Sequence, residues 1–279
     1  MRVSVLGMGH MGRALADRLA GGGHEVTVWN RTPGRAADVV AAGAHEAGSV
    51  AEAVAGAEVV VTMLADDHAV QAVAKEIVPA LDADAVYVDC STVSVALSAE
   101  LAERFGRFAS LPVMGSPDAV RSGTAAYVVG APADVTAALE PVLATLSGPV
   151  VRFARPALAV AAKVTGNYLL LTGLVALGEA FAVARAGGLD DDEIRRVFAE
   201  HPLVAPALRN RFEAVLSGAA EGWFSVALGG KDVGLALELA RSAGQRLGAG
   251  EATLAAYDAT AAGGLADADI AAVGRLYRS

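Results

Sequence analysis

Short runs of β-branched and apolar residues alternate with stretches of helical period through the first half of the chain, and the alternation ceases near residue 154. Arg2–Leu6 reads as a strand. Residues 11–20 place Met11, Leu15 and Leu19 four apart on one helical stripe, and Gly21-Gly22-Gly23 ends that helix. Glu25–Trp29 reads as the second strand. Residues 58–64 and 85–90 follow as strands, with a helix over 70–81 between them. Later strands are predicted at 108–113, Ala126–Gly130 and Val150–Phe153, with a helix over 135–146. Strands alternating with helices imply βαβ units and a mostly parallel sheet covered on both faces.

Beyond Phe153 the pattern holds no convincing strand. Pro156 suits the first turn of a helix, where its missing N–H costs nothing. A long apolar helix then runs to about Ala186, roughly 45 Å at about 1.5 Å per residue. Gly187-Gly188 stops it, and Asp190-Asp191-Asp192-Glu193 sets negative charge at the next helix N-terminus, where the helix dipole favours it. Further helices are predicted over 228–243 and 267–278. The expected architecture is an α/β doubly wound parallel sheet over 1–154 and an all-α domain over 155–279. Residues 164–178 carry no charge, but the run is shorter than the roughly 20 residues a membrane crossing needs. Lys163 and Glu179 bracket it and Asn167 lies within it, so it reads as a buried interdomain or intersubunit helix, not a membrane span. Because this helix is apolar over more than one face, a homodimer through the helical domain is expected.

Composition narrows the class. Hydrophobic residues make up 54% of the chain and aromatics only 5%, so Ala, Val and Leu fill the interior, as in close-packed helices and parallel strands. The net charge of −9 comes without any basic run, which argues against a nucleic-acid partner and requires an anionic ligand to find a local positive site. Cys90 is the single cysteine, which fits a reducing compartment. The first strand starts at the chain start with no secretory segment of ordinary length before it, so a cytoplasmic location is expected. The histidines are scattered without metal-ligand spacing, and no metal is expected. Asp66-Asp67-His68 reads as a helix N-terminal cap.

Gly7-Met8-Gly9-His10-Met11-Gly12 is a GxGxxG pattern between a strand and a helix at the chain start. The first glycine permits the tight turn, the second lets backbone N–H groups approach a pyrophosphate, and the third lets helix and strand pack closely. The helix N-terminus then stabilises the anion. At the end of the second strand, where an NAD site offers a carboxylate to the ribose, the sequence reads Trp29-Asn30-Arg31-Thr32. Arg31 is suited to clamp a 2′-phosphate, with Asn30 and Thr32 donating to it and Arg35 as a possible helper. NADPH (NADP+) is therefore expected as the cofactor.

The glycine motif, Asn30-Arg31-Thr32, Met63-Leu64 and Asp89-Cys90-Ser91-Thr92, in that order, resemble the β-hydroxyacid dehydrogenase family, which includes 3-hydroxyisobutyrate dehydrogenases and glyoxylate/succinic semialdehyde reductases. Imine reductases are close relatives of the same fold. The resemblance continues through Pro112-Val113-Met114-Gly115-Ser116, Lys163-Val164-Thr165-Gly166-Asn167 and Lys231-Asp232. It implies that Met63, Leu64 and Ala65 border the cofactor, that Ser91 and Thr92 lie near the nicotinamide, and that Lys231 flanks the same side. It implies that Met114, Gly115, Ser116, Asn167 and Asp232 face a small-molecule substrate. Cys90 reads as a buried small residue, not a nucleophile.

Hydride transfer to a carbonyl leaves charge on oxygen, and a proton donor must meet it. Lys163 is the one charge in the first part of the long apolar helix, and burial there is expected to lower its proton affinity. Asn167 lies four residues on, on the same helical face. In the resembling family this pair supplies the acid/base and the substrate-orienting group. Three departures bear on substrate. Met114 stands where the family carries a serine hydroxyl for a substrate carboxylate, with Ser116 supplying a hydroxyl two residues away. Ala157 and Ala159 replace glycines, which narrows the cleft or shifts the helix start. Gly166 replaces the histidine of decarboxylating 6-phosphogluconate dehydrogenases, which argues against a phosphosugar. The expected function is an NADPH-dependent oxidoreductase acting on a small aldehyde or keto acid, or on the matching hydroxy acid. The alternatives are an imine reductase acting on cyclic imines and a non-catalytic NADPH sensor.

Overall fold

The computed structural model describes residues 1–278. It contains two compact units, Met1–Lys163 and Val164 onward. The first is built on a nine-stranded sheet. Its strands are β1 (Arg2–Leu6), β2 (Glu25–Trp29), β3 (His45–Glu46), β4 (Val59–Thr62), β5 (Val86–Asp89), β6 (Phe108–Ser110), β7 (Val113–Met114), β8 (Ala126–Gly130) and β9 (Val150–Phe153). Their order is β3-β2-β1-β4-β5-β6-β8-β7, with β9 paired to β8. The first six are mutually parallel. That order places a topological switch between β1 and β4, which opens a crevice at the strand C-termini, where ligands bind in open α/β sheets. β4 and β5 are buried along their whole length, as valine-rich strands covered on both faces must be. The doubly wound α/β unit followed by an all-helical unit is thus as the sequence pattern predicts.

Boundaries differ where single residues override the pattern. The expected strand 108–113 is broken at Leu111-Pro112. Leu111 N still donates to Asp89 O at 2.8 Å, but Pro112 has no N–H to give, and the chain re-pairs as β7 antiparallel to β8. The helix expected over 70–81 is Asp67–Ile77, because Asp66 caps it by accepting from Ala69 N at 2.8 Å. The two-residue β3 carries no apolar run and escaped the pattern.

The long helix spans Pro156–Ala186. Ala157 and Ala159 lie in its first turn. A Cβ on Gly130 would lie 2.5 Å from Arg155 O and 2.9 Å from the Ala159 Cβ, so the glycine in β8 makes room for the first turn. Among the described residues this is the one helix long and apolar enough to cross a membrane by length and composition, and 33% of its apolar window is buried.

In the second unit, Leu171, Leu174, Phe181, Ile194, Phe212, Tyr257 and Val273 share one core. Asp190 forms a capping box with Glu193 at the helix Asp191–Phe198. The α-helix expected over 267–278 is instead a tight 3-10 helix, Ile270–Tyr277, capped by Asp269. Before it, residues 266 and 267 form a turn and Asp269 is extended, with Val226 N donating to Ala268 O at 2.8 Å and Asp269 N to Ala220 O at 2.9 Å.

Candidate active site

The glycine loop shows how little room a side chain has beneath a ligand. Gly7 adopts φ +105°, which favours glycine, and its N–H donates to Trp29 O at 2.8 Å. A Cβ on Gly7 would lie 2.3 Å from Met63 O, and one on Gly12 would lie 1.8 Å from Gly7 O. Gly9 has nothing within 4 Å of such a Cβ, and it begins the helix His10–Gly21 without any side-chain cap. The loop therefore presents open backbone N–H groups at a helix N-terminus, which fits a pyrophosphate. Met8 is buried and Met11 packs on the core, whereas His10 is exposed.

At the end of β2, Asn30 has partners within the protein. Its Oδ1 accepts from Met8 N at 2.9 Å, and its Nδ2 donates to Thr32 O at 2.8 Å. The side chain thus ties the glycine loop to the following turn. Arg31, Thr32 and Arg35 are exposed.

The connections after β4 and β5 meet. Met63 N donates to Leu6 O at 2.9 Å, continuing the β1 ladder, and Leu64 N donates to Ser91 Oγ at 2.9 Å. Met63 and Leu64 are half-buried, Ala65 is exposed, Ser91 is buried and Thr92 is half-buried. Beneath them lies a cluster that the sequence reading missed. Thr62 Oγ1 donates to Asp89 Oδ1 at 2.7 Å, so Tyr87 Oη, 3.0 Å from Thr62 Oγ1, is left to donate to it. Ser91 N also donates to Asp89 Oδ1, at 3.2 Å. Burial pushes the Asp89 carboxyl up from its ordinary range, against the pull of hydrogen bonds from Ser91 and Thr62. Burial, and then the Asp89 charge, push the Cys90 thiol well up, so this cysteine is no nucleophile. The signal in the sequence was a carboxylate closing the apolar run Val86-Tyr87-Val88-Asp89.

Lys163 reaches β7, where its Nζ donates to Val113 O at 2.9 Å. The ammonium is thereby fixed beside Met114, which is half-buried, and Gly115, which is exposed. Ser116 has a partner within the protein. Its hydroxyl accepts from Ala119 N at 3.1 Å and caps the five-residue helix Pro117–Arg121.

In the second unit Asn167 and Asp232 are both buried, and Asn167 Nδ2 donates to Asp232 Oδ2. Lys231 Nζ pairs with Asp232 Oδ1 at 2.9 Å. Asp232 is therefore the hub that orients Asn167. Gly229 on the same helix lets it pack closely, since a Cβ there would come within 2.8 Å of Ile270.

Comparison with known proteins gives this geometry a context. Residues 2–154 match the family described as the NAD binding domain of 6-phosphogluconate dehydrogenase. Residues 158–277 match that described as NAD-binding of NADP-dependent 3-hydroxyisobutyrate dehydrogenase. The chain is 31% identical over 282 residues to an uncharacterized oxidoreductase, YfjR, of Bacillus subtilis, covering 98% of each. The chain belongs to the β-hydroxyacid dehydrogenase family. A solved 3-hydroxyisobutyrate dehydrogenase of Mycobacterium tuberculosis, with L-serine, superposes on this family member with a TM-score of 0.87 at 29% identity, covering 100% of this chain and 99% of that one. An imine reductase of Streptomyces aurantiacus shares the fold, with a TM-score of 0.67 at 24% identity over the full length of both. As a β-hydroxyacid dehydrogenase family member the chain is an oxidoreductase with an NAD(P)-binding domain. Its C-terminal match is to the hydroxyisobutyrate branch, consistent with Gly166 standing where the phosphogluconate enzymes carry histidine.

Proposed function

We propose that this chain is an NADP-dependent reductase or dehydrogenase of small carbonyl compounds and their alcohols, with Lys163 moving the proton. The observation that carries the reading is the Lys163 ammonium, held at 2.9 Å on Val113 O beside the loop Met114-Gly115-Ser116. When bound, the nicotinamide supplies or accepts the hydride. In reduction, Lys163 Nζ gives its proton to the substrate oxygen. In oxidation it takes the proton from the hydroxyl. Asn167, one helical turn along, orients the substrate, and Asp232 holds its amide. The glycine loop and the helix behind it hold the pyrophosphate, with Met63, Leu64 and Ala65 walling the loop and Ser91 and Thr92 toward the nicotinamide. Arg31, exposed and without a neighbouring carboxylate on its turn, supports NADPH over NADH.

Substrate choice turns on Met114. With the Ser116 oxygen accepting as a cap, this loop offers a thioether, backbone N–H groups and the Ser116 O–H, and the thioether supports less polar substrates beside small keto acids and gives the imine reading its footing. Lys163 favours carbonyl chemistry. The test is NADPH and NADH consumption in parallel over a panel of aldehydes, keto acids and cyclic imines, with Lys163→Ala alongside. Lys163→Ala is expected to lower kcat by about 10²–10⁴-fold with NADPH affinity retained. Equal loss of both would assign Lys163 to structure, and turnover of imines alone would select the second reading. Absence of any turnover with tight NADPH binding would leave a sensor.

We propose a cytoplasmic homodimer for the working state. Leu169 and Val183, 67% and 74% exposed, lie on one face of the long helix and need cover. A monomer by light scattering would rule this out.

A further inference from the structure

Thr62, Tyr87, Asp89 and Ser91 form a buried polar cluster that hydride and proton transfer do not use. A carboxylate here is costly, because valine-rich strands surround it and it is only 1% exposed. What it gives in return is geometric. Asp89 ends β5, yet its Oδ1 collects a hydrogen bond from Thr62 on β4 at 2.7 Å and another from Ser91 N at 3.2 Å. The link continues upward, because Ser91 Oγ accepts from Leu64 N at 2.9 Å. Outside it, Asp67 Oδ1 accepts from Ser94 N at 2.9 Å, joining the next turn of each connection.

The connection after β4 is also the wall of the glycine loop. A Cβ on Gly7 would meet Met63 O at 2.3 Å and Leu64 Cδ2 at 2.9 Å, and one on Gly12 would meet the Met63 Cβ at 3.7 Å. A shift of Met63 or Leu64 therefore shifts the surface on which the loop rests. We propose that Asp89 is a positioning residue for the dinucleotide. It locks the connections after β4 and β5 into one ledge against the glycine loop, so cofactor affinity depends on a side chain buried beneath the ligand-facing surface. This inference rests on dinucleotide binding and holds whichever substrate the site takes.

The test is titration of the full chain with NADPH and NADH by fluorescence, without substrate, for the parent and for Asp89→Ala, Asp89→Asn, Thr62→Val and Ser98→Ala. Asp89→Ala frees Thr62, Ser91 N and the ledge above them, and binding must then order what was ordered before. The expected loss of affinity is about tenfold or more. Asp89→Asn keeps an oxygen that accepts both bonds and is expected to stay within about threefold of the parent. Thr62→Val removes the β4 tie and should weaken binding by several-fold. In turnover assays the coenzyme KM should rise in Asp89→Ala, while substrate KM and kcat at saturating coenzyme hold within about twofold. Ser98→Ala is the control. It removes the buried Ser98–Ser110 hydrogen bond of 2.9 Å, which neighbours Asp89 across β5 and β6 but takes no part in the Thr62–Asp89–Ser91–Leu64 chain of bonds, and should lower the melting temperature without moving affinity.

A folded Asp89→Ala that binds NADPH as the parent does would overturn the inference. So would a Ser98→Ala variant that loses affinity in proportion to its loss of stability. If Asp89→Ala does not fold, Thr62→Val decides by the same measure. A parent that binds neither dinucleotide overturns the cofactor reading and this one with it. A parent that binds, with variants that are indifferent, overturns this one alone.

Discussion

The glycine loop of the first unit and the Asn167–Asp232–Lys231 cluster of the second are built on opposite principles. The loop is made of backbone. Gly7 and Gly12 are where they are because neighbouring backbone approaches within a distance that no side chain fits, while Gly9 keeps the space above the helix N-terminus open. The cluster is made of side chains, a buried amide and a buried carboxylate with an ammonium at 2.9 Å, held by helices. A backbone site fails when an atom is added, and a side-chain site fails when one is removed. The two therefore call for different perturbations.

The largest expected effect is on the loop. Gly12→Ala adds a Cβ 1.8 Å from Gly7 O, and no rotamer relieves a clash between backbone atoms. We expect NADPH affinity to fall by about a hundredfold or more with the fold retained, as read by fluorescence titration beside circular dichroism. Parent-like affinity would mean that the loop does not carry the pyrophosphate. In the cluster, Asp232→Ala leaves the Asn167 amide and the Lys231 ammonium without their common partner. Asp232 is 2% exposed and the Lys231 side chain 23%, so solvent softens part of the penalty. A loss of about 2–4 kcal/mol in urea unfolding is expected, with kcat lowered and NADPH affinity little changed. If stability were unchanged, the pairing would be incidental.

How much of each region was legible in the sequence follows from the same contrast. Gly7, Gly9 and Gly12 announce themselves because a strand, a fixed spacing and a helix surround them, and Lys163 because it is a charge in an apolar helix. The partners of these residues do not. Nothing in the pattern says that Asn30 spends its amide on Met8 N and Thr32 O, or that Ser116 spends its hydroxyl on a cap. Both were read as hands held out to a ligand, because residue type reveals hydrogen-bonding capacity but not which bonds are made. Thr62 and Tyr87 fall inside predicted strands and drew no reading of their own, since a hydroxyl among valines looks like packing until the neighbouring strand brings a carboxylate to it. The break of one strand at Pro112 was visible in principle, as proline cannot serve an internal ladder.

Cofactor choice sharpens the comparison next. With Asn30 engaged, discrimination at the end of β2 falls mainly to Arg31. Arg31→Ala should cost NADPH about tenfold or more in affinity and leave NADH nearly unchanged, because the 2′-phosphate that Arg31 would pair with is the charged group NADH lacks. Equal weakening of both dinucleotides would give Arg31 a structural role.

A smaller effect separates burial from pairing. Burial raises the folded Asp89 carboxyl above its unfolded value. Between those two values the folded chain holds the extra proton, so this group's contribution to stability falls as pH rises through that window. The parent and Asp89→Asn should therefore diverge on going from pH 4 upward, with the parent losing relative stability in urea. Because the other carboxylates are common to both proteins, their titration cancels in the difference. A difference that is flat with pH would mean that the hydrogen bonds from Ser91 and Thr62 balance desolvation, and one of opposite sign that they outweigh it.

The smallest effect distinguishes a cap from a substrate contact. Ser116 Oγ accepts from Ala119 N at 3.1 Å at the start of a helix only five residues long. If that is its whole role, Ser116→Ala lowers stability by about 0.5–1 kcal/mol and leaves substrate KM within about twofold for acids and neutral carbonyls alike. If the hydroxyl also meets a substrate carboxylate, KM rises for keto acids and not for neutral aldehydes. The paired variant Met114→Ser then reads the same question in reverse. A hydroxyl next to the Lys163 anchor at Val113 O should improve kcat/KM for carboxylate substrates over neutral ones, if the thioether is what now disfavours them.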